Sequence, residues 1–339
     1  MRKNKIRFMG VAAGLALLTQ PPVHAKSALK HQLLAVAQAE STLAIFDIEG
    51  RTLSPAGRVP VGKGAREVCV SPDGTRAYVP NGIDNTVTAI DLAEQKSIAT
   101  IAPPAMKRPD GCTVSPDSSK VYVSGFDSDD VAIISTATNQ VLAHLTKLPK
   151  EPRRVMFTPD ARQYYVSTEE GNEIVIFDAA TDMITGRFSS GGHSPRSMLL
   201  LPDRKTLLVT NVDDDSVSLL DASTKAVNLT VGAGGSPQRL AVSRDGAWAF
   251  VLSVLEEKIS MIDLKGAHVR AKKFVLVGHA PYGMTMAGDG SLLFVSNVKD
   301  NEIVGYDTAA LTALPNGPRA QVEPVVKVAL NAPWGLAIR

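Results

Sequence analysis

The sequence predicts an all-β fold, a seven-bladed β-propeller with four antiparallel strands per blade, and three observations carry that prediction. An Asp closes a short apolar run at Asp47, Asp91, Asp178, Asp221, Asp263 and Asp307, with Ser135 in the one gap, so the motif returns every 42 to 44 residues. A second motif keeps the same beat: SPDG at Ser71, SPDS at Ser115, TPDA at Thr158, LPDR at Leu201, SRDG at Ser243 and AGDG at Ala287. The two ends are also complementary. Leu33 to Val36 and Leu43 to Phe46 read as second and third strands with no first strand before them, whereas Trp334 to Ile338 reads as a first strand with nothing after it. Copies at this period mark a repeat architecture, and pairing the two ends closes the ring without an exposed inner edge.

Taken from the N-terminus, residues 1–25 combine a basic start (Arg2, Lys3, Lys5, Arg7), an apolar stretch from Phe8 to Leu18 and a small-residue exit at Val23-His24-Ala25. That is the pattern of a Sec-type signal peptide, too short to span a bilayer, which takes about 20 residues. Its removal takes four positive charges and turns the formal net charge from +2 to −2. A periplasmic or secreted protein is expected, with residues 26–32 as a linker and 33–339 as one propeller domain. No second apolar stretch is long enough for a membrane span, and a monomer is expected. With two cysteines in the whole chain, no disulfide framework holds the fold and a large core must.

One repeat, Pro109 to Pro152, shows how a blade is written. Gly111 to Val114 is a first strand, Ser115 to Ser118 a turn, Val121 to Ser124 a second strand, Val131 to Ile134 a third and Val141 to Leu145 a fourth. Pro presets φ near −65° at the second turn position, and Asp then Gly or Ser suit the next two. The Asp-x-x-Thr runs at Asp178 and Asp221 close third strands through side-chain to backbone bonds. A β-sandwich would not explain equal repeats, and no stretch has strong helical periodicity. The last repeat carries about eight extra residues between Thr308 and Pro324, expected as a loop on the face opposite the channel mouth described below.

Val-Ser-Pro-Asp-Gly followed by Tyr-Val-x-Asn (Val70 to Asn81), and Val295-Ser296-Asn297 with Asp300-Asn301, resemble YVTN-type β-propeller repeats over residues 33–339. The resemblance implies the fold and leaves the chemistry open. More narrowly, Pro-Trp-Gly-Leu-Ala from Pro333 and Pro152-Arg153 resemble propellers that accompany pyrroloquinoline-quinone-linked alcohol oxidation. The layout is more distantly similar to seven-bladed lactonases, although no lactonase motif can be placed on the chain.

In a propeller the fourth-to-first and second-to-third connections open on one face. Aligned on the Pro (or Ala65) that starts each first strand, the next residue reads Arg66, Asp110, Arg153, Arg196, Gln238, Tyr282, Trp334, and the one after it Glu67, Gly111, Arg154, Ser197, Arg239, Gly283, Gly335. Two before the Pro stand Lys63, Lys107, Lys150, His193, Gly235, His279 and Asn331. The second-to-third connections are acidic, from Glu40 and Asp84 through Asp127, Asp129, Asp130, Glu169, Glu170, Asp213, Asp214, Asp215, Glu256 and Glu257 to Asp300.

A basic arc inside a ring of acids has two readings. Either the charges pair across neighbouring loops on a solvated face, where exposed pairs are worth about 0–1 kcal/mol each, or converging guanidiniums bind carboxylate or phosphate. In the second, the ligand site comprises Arg66, Arg153, Arg154, His193, Arg196, Arg239 and His279, with Tyr282 and Trp334 as an apolar wall.

Other signals exclude more than they assert. His193 and His279 have no partner at metal spacing, and the acidic runs at Asp127 and Asp213 lack EF-hand spacing, so no metal site and no cofactor are expected. Cys69 and Cys112 lie on neighbouring first strands with registers that differ by one residue, and two buried thiols are expected rather than a disulfide. No GxSxG, HExxH, CxxC, P-loop or dinucleotide motif appears, and the acids around the arc disfavour nucleic acid as a partner.

The reading is therefore an exported, non-catalytic binding or scaffold module for an anionic small molecule or an acidic partner segment. A lactonase-like hydrolase or lyase using the same mouth, with His193 or His279 as general base, and an accessory to a quinone-dependent dehydrogenase are the alternatives. No catalytic residue can be assigned.

Overall fold

The computed structural model describes residues 31–265, 269–317 and 320–339; the predicted signal peptide and residues 26–30 of the predicted linker lie outside them. Seven sheets form the seven-bladed propeller, each with four antiparallel strands. Counted outward from the channel, blade 1 is Pro333–Ile338, Gln32–Ala37, Thr42–Glu49 and Thr52–Pro60, and blade 2 is Cys69–Val70, Arg76–Asn81, Thr86–Asp91 and Lys96–Ile101. Blade 3 is Pro109–Val114, Lys120–Gly125, Asp130–Ser135 and Val141–Leu145. Blade 4 is Pro152–Phe157, Gln163–Thr168, Glu173–Asp178 and Ile184–Phe188, and blade 5 is Pro195–Leu200, Thr206–Asn211, Ser216–Asp221 and Val227–Gly232. Blade 6 is Pro237–Val242, Trp248–Ser253, Lys258–Asp263 and Arg270–Leu276; blade 7 is Pro281–Met286, Leu292–Asn297, Glu302–Asp307 and Val326–Ala329. Closure is as the ends predict, with Leu33 opposite Ile338 and Ala35 opposite Leu336.

The repeated turns form by the expected chemistry. In all six the carbonyl of the first residue accepts the N–H of the fourth, as Ser71 does from Gly74 and Thr158 from Ala161, and the Asp carboxylate takes a second backbone N–H, Thr75 for Asp73 and Ala247 for Asp245. The third-strand aspartates close their strands in the same way: Asp178 accepts from Ala180 and Thr181, and Asp221 from Ser223 and Thr224. The core lies between blades, one apolar cluster to each of the seven interfaces.

Two expectations are corrected. The insertion in blade 7 is more than a loop: Asp307 caps a short helix, Thr308–Ala313, by accepting the Ala310 N–H, and Ala320–Gln321 then adds a fifth strand to blade 6, parallel to Arg270–Leu276. Cys69 and Cys112 form a disulfide, not two thiols, with Cα atoms 5.8 Å apart. The inner strands of blades 2 and 3 run side by side at the channel, so a one-residue stagger does not carry the two Cα atoms beyond bonding range. Both sulfurs lie near the Tyr78 carbonyl, which marks their common level.

Candidate functional site

The mouth of the channel is built by one local device repeated around the ring. Before the first strand of every blade but blade 2 stands a residue in the left-handed region, Arg108, Glu151, Ser194, Ser236, Ala280 and Ala332, with φ between 42° and 60°. Its N–H is held by a side-chain oxygen from the preceding blade: Asn85, Asp129, Asn172, Asp215, Glu257 and Asn301 in turn. The Pro follows, and then a bulge, since the register of first against second strand slips between Pro152 and Val155, Pro195 and Met198, Pro237 and Arg239, and Pro281 and Met284. A bulge re-aims the side chains it carries, and these are the mouth residues. Serines fix their backbones: Ser124 donates to the Arg153 carbonyl, Ser167 to Arg196 and Ser296 to Trp334, each across a blade boundary. Gly111 permits that approach, because a Cβ there would fall 2.0 Å from the Arg153 carbonyl oxygen.

The structure brings Arg153, Arg154, Arg196, Arg239, Tyr282, Trp334 and Arg66 together and adds three carboxylates to them. Arg153 Nη1 lies 3.2 Å from Asp110 and its Nε bonds Glu169; its guanidinium also stacks 3.6 Å from the Phe126 ring centroid. Glu67 pairs with Arg154 and, at 2.9 Å, with Arg239 Nη2, a contact without the alignment of a hydrogen bond. Arg239 Nε donates to the Tyr282 carbonyl at 3.1 Å. Burial pushes the Glu67 carboxyl up against the pull of Arg239. Burial acts the same way on Asp110, but Arg153, Arg196 and Arg239 together hold it below the ordinary carboxylate range.

Arg196 is placed differently. Its side chain is 7% exposed, yet its nearest polar contacts are the Tyr282 hydroxyl at 3.4 Å and Glu169 at 3.6 Å, and its Nε has no partner. Tyr282 packs edge-on to Trp334 with centroids 4.4 Å apart, Arg66 lies 4.7 Å over the Trp334 ring, and the buried Trp334 Nε1 also has no partner. The channel holds a cavity of about 240 Å³ whose lining includes the charged Glu67, Arg154 and Arg239 and the apolar Met156, Met198, Leu240, Met284 and Leu336.

His193 and His279 stand apart from the arginines. Each is 69% exposed and bonds through Nδ1 to a second-to-third carboxylate, Asp214 at 3.0 Å and Asp300 at 2.8 Å. Those carboxylates also take the histidines' own backbone N–H, as Asp84 takes that of Lys63 and Glu256 that of Gly235. Much of the acidic ring thus caps backbone amides, while Glu170 pairs with Lys150 and Asp127 with Arg108 at the rim. Glu169 instead turns inward to Arg153 and Arg196. Among the described residues no group of three or more His, Cys, Asp or Glu is arranged to hold a metal ion.

The family model described as YNCE-like beta-propeller matches residues 98–292, more than half of the chain. The chain belongs to that family. No curated protein matches the sequence. Solved structures similar to this YNCE-like propeller include hydrazine synthase of Kuenenia stuttgartiensis, 20% identical with a TM-score of 0.66 over 74% of this chain and 80% of that one. The periplasmic gluconolactonase PpgL of Pseudomonas aeruginosa is 15% identical, with a TM-score of 0.74 over 91% of this chain and 98% of that one. A functionally unknown protein of Desulfotomaculum acetoxidans is 16% identical, with a TM-score of 0.73 over the same shares. At these identities the likeness is one of fold. No helix among the described residues is long and apolar enough to cross a membrane.

Proposed function

We propose that this YNCE-like propeller is an exported, non-catalytic binding module whose channel mouth takes a small carboxylate- or phosphate-bearing molecule, or the acidic segment of a partner protein. Arg196 carries the reading. A buried guanidinium costs free energy unless its charge and its five N–H donors are met, and here Nε is unmet while the nearest carboxylate is 3.6 Å away. An incoming anion would engage Nε and an Nη together, in the two-point manner that a guanidinium offers. The Tyr282 hydroxyl and Trp334 Nε1 supply further donors, and Arg153, Arg154 and Arg239, already paired, hold the frame.

Export rests on residues 1–25, whose three-part pattern is that of a cleaved leader. Titration calorimetry of the purified protein with acetate, citrate, gluconate and phosphate tests the site. Arg196→Ala is expected to weaken the best ligand at least tenfold, and Arg153→Ala/Arg196→Ala to abolish its binding; affinities unchanged in both variants reject the arginine cluster.

A second reading, lactonase-like hydrolysis or lyase chemistry, is favoured by one observation: with Nδ1 on a carboxylate, the exposed imidazoles of His193 and His279 keep Nε2 free as a base. Turnover of a lactone panel that is lost in His193→Ala or His279→Ala would establish it. A role beside a quinone-dependent dehydrogenase rests on the Pro333 and Pro152 resemblances, and the absence of any such oxidoreductase from the gene neighbourhood would remove it.

A further inference from the structure

A cavity larger than the one in the channel lies away from the mouth. It is a groove of about 940 Å³ on the opposite face, where the turns of blades 4 and 5 meet, with Met156, Tyr165, Leu200 and Leu207 in its floor and Arg162, Arg204, Lys205 and Lys225 around it. Two features set this place apart from the other blade junctions. The apolar cluster between blades 4 and 5 has five buried members, where the other six have nine to thirteen, and the rest of this junction is made by partly buried side chains, Met156 and Leu200 among them, so its apolar surface stays open to the groove. The charges are also unequal in availability. Asp160, Asp178 and Asp221 each accept the N–H groups of their own turn. The exposed head groups of Arg162, Arg204 and Lys205 have no hydrogen bond or ion pair to any described residue, and Lys225 lies 4.9 Å over the Tyr165 ring.

We propose that this groove is a second binding site, for an organic anion with a flat aromatic or fused-ring body. Arg162, Arg204 and Lys205 hold its carboxylate, sulfonate or phosphate, and the ring lies on Met156 and Leu200. A pocket of several hundred Å³ with an apolar floor and a few converging polar groups has the form of a small-molecule site. The thioether of Met156 adapts to a planar ligand without loss of packing. Met156 also lines the channel cavity, so the two sites share a wall.

The test uses 8-anilinonaphthalene-1-sulfonate as the probe and the purified protein without its leader. Saturable one-to-one binding is expected in the parent protein. It should weaken at least tenfold in Arg162→Glu/Arg204→Glu, exposed positions at which circular dichroism is expected to find the fold unchanged, and persist in Arg196→Ala. Binding that survives the double reversal, is lost in Arg196→Ala instead, or is absent from the parent overturns the proposal. Equal affinity for the uncharged N-phenyl-1-naphthylamine overturns its anionic part. Because the mouth variant is scored separately, failure here leaves the mouth site standing and the reverse also holds.

Discussion

A guanidinium shut away from water needs a counter-charge, and Glu67 supplies one to Arg154 and Arg239 at once, reaching across the channel from blade 2 to blades 4 and 6. Removing one partner of a buried ion pair costs about 3–5 kcal/mol, because the other charge is left alone in a poor solvent for it. Glu67→Ala is therefore expected to lower stability by about that amount, and millimolar acetate or formate to restore part of it by filling the vacated site. Thermal melts with and without acetate check this; no loss, or a loss that small carboxylates leave untouched, would show that Glu67 does not hold the ring.

The mouth histidines give a second test at the same scale. The hydrogen bond that its ring donates to Asp214 raises His193 above the ordinary histidine value, and the one donated to Asp300 does the same for His279. A raised value means that the protonated ring is favoured in the folded state. The contribution is thus fully present below about pH 6.5 and lost as pH rises through the shifted value. Proton NMR should find His193 titrating above about 6.5 and returning to it in Asp214→Asn; an unshifted His193 in the parent would contradict the pairing.

At the scale of the element, glycine logic cuts in opposite directions at two turns. The fourth residue of the strand-one turn has positive φ in every blade that carries it, and Ala161 at 56° stands where Gly74, Gly246 and Gly290 stand elsewhere. Ala161→Gly should raise stability by roughly 0.5–1 kcal/mol, since a Cβ is disfavoured in that region. Gly111→Ala should do the reverse and cost more than about 2 kcal/mol, because the new methyl meets the Arg153 carbonyl. Denaturant melts of both variants decide, and a tolerated Gly111→Ala would mean that the blade boundary is softer than drawn.

These turns and the third-strand aspartates were legible in the sequence because each is a local device whose donors and acceptors lie within five residues. The caps that hold the mouth were not, since Asn85, Asp129, Asn172, Asp215, Glu257 and Asn301 bond to the next blade. Read alone, Asp129, Asp215 and Glu257 look like charges in an acidic ring. Their alternation with Asn at the period of the repeat was the available signal, because a position that accepts Asn and Asp alike needs an acceptor oxygen, not a charge. The alignment of first strands on their Pro did place Arg153, Arg196, Tyr282 and Trp334 around one funnel. The strand bulges and the inward turn of Glu169 depend on neighbours that no single repeat contains.

For the whole molecule, closure joins Gln32–Ala37 to Pro333–Ile338, and the Cys69–Cys112 bond ties blade 2 to blade 3 beside the channel. Cross-linking a loop of this size should contribute about 2–4 kcal/mol. Cys69→Ser/Cys112→Ser is expected to unfold at lower denaturant by that amount, and the denatured, unreduced parent to show no free thiol; two titratable thiols would restore the reduced pair that the sequence suggested. The ring also explains why the two proposed sites are independent in charge yet close in space: strands that begin among arginines at the mouth carry Met156 and Leu200 toward the far face.

The measurement that bears most directly on the binding mouth is an anomalous difference map from crystals soaked in selenate. An anion within hydrogen-bonding distance of Arg196 Nε, missing from Arg196→Ala crystals, is the predicted result. Ordered selenate elsewhere on the protein with none at Arg196 would contradict it.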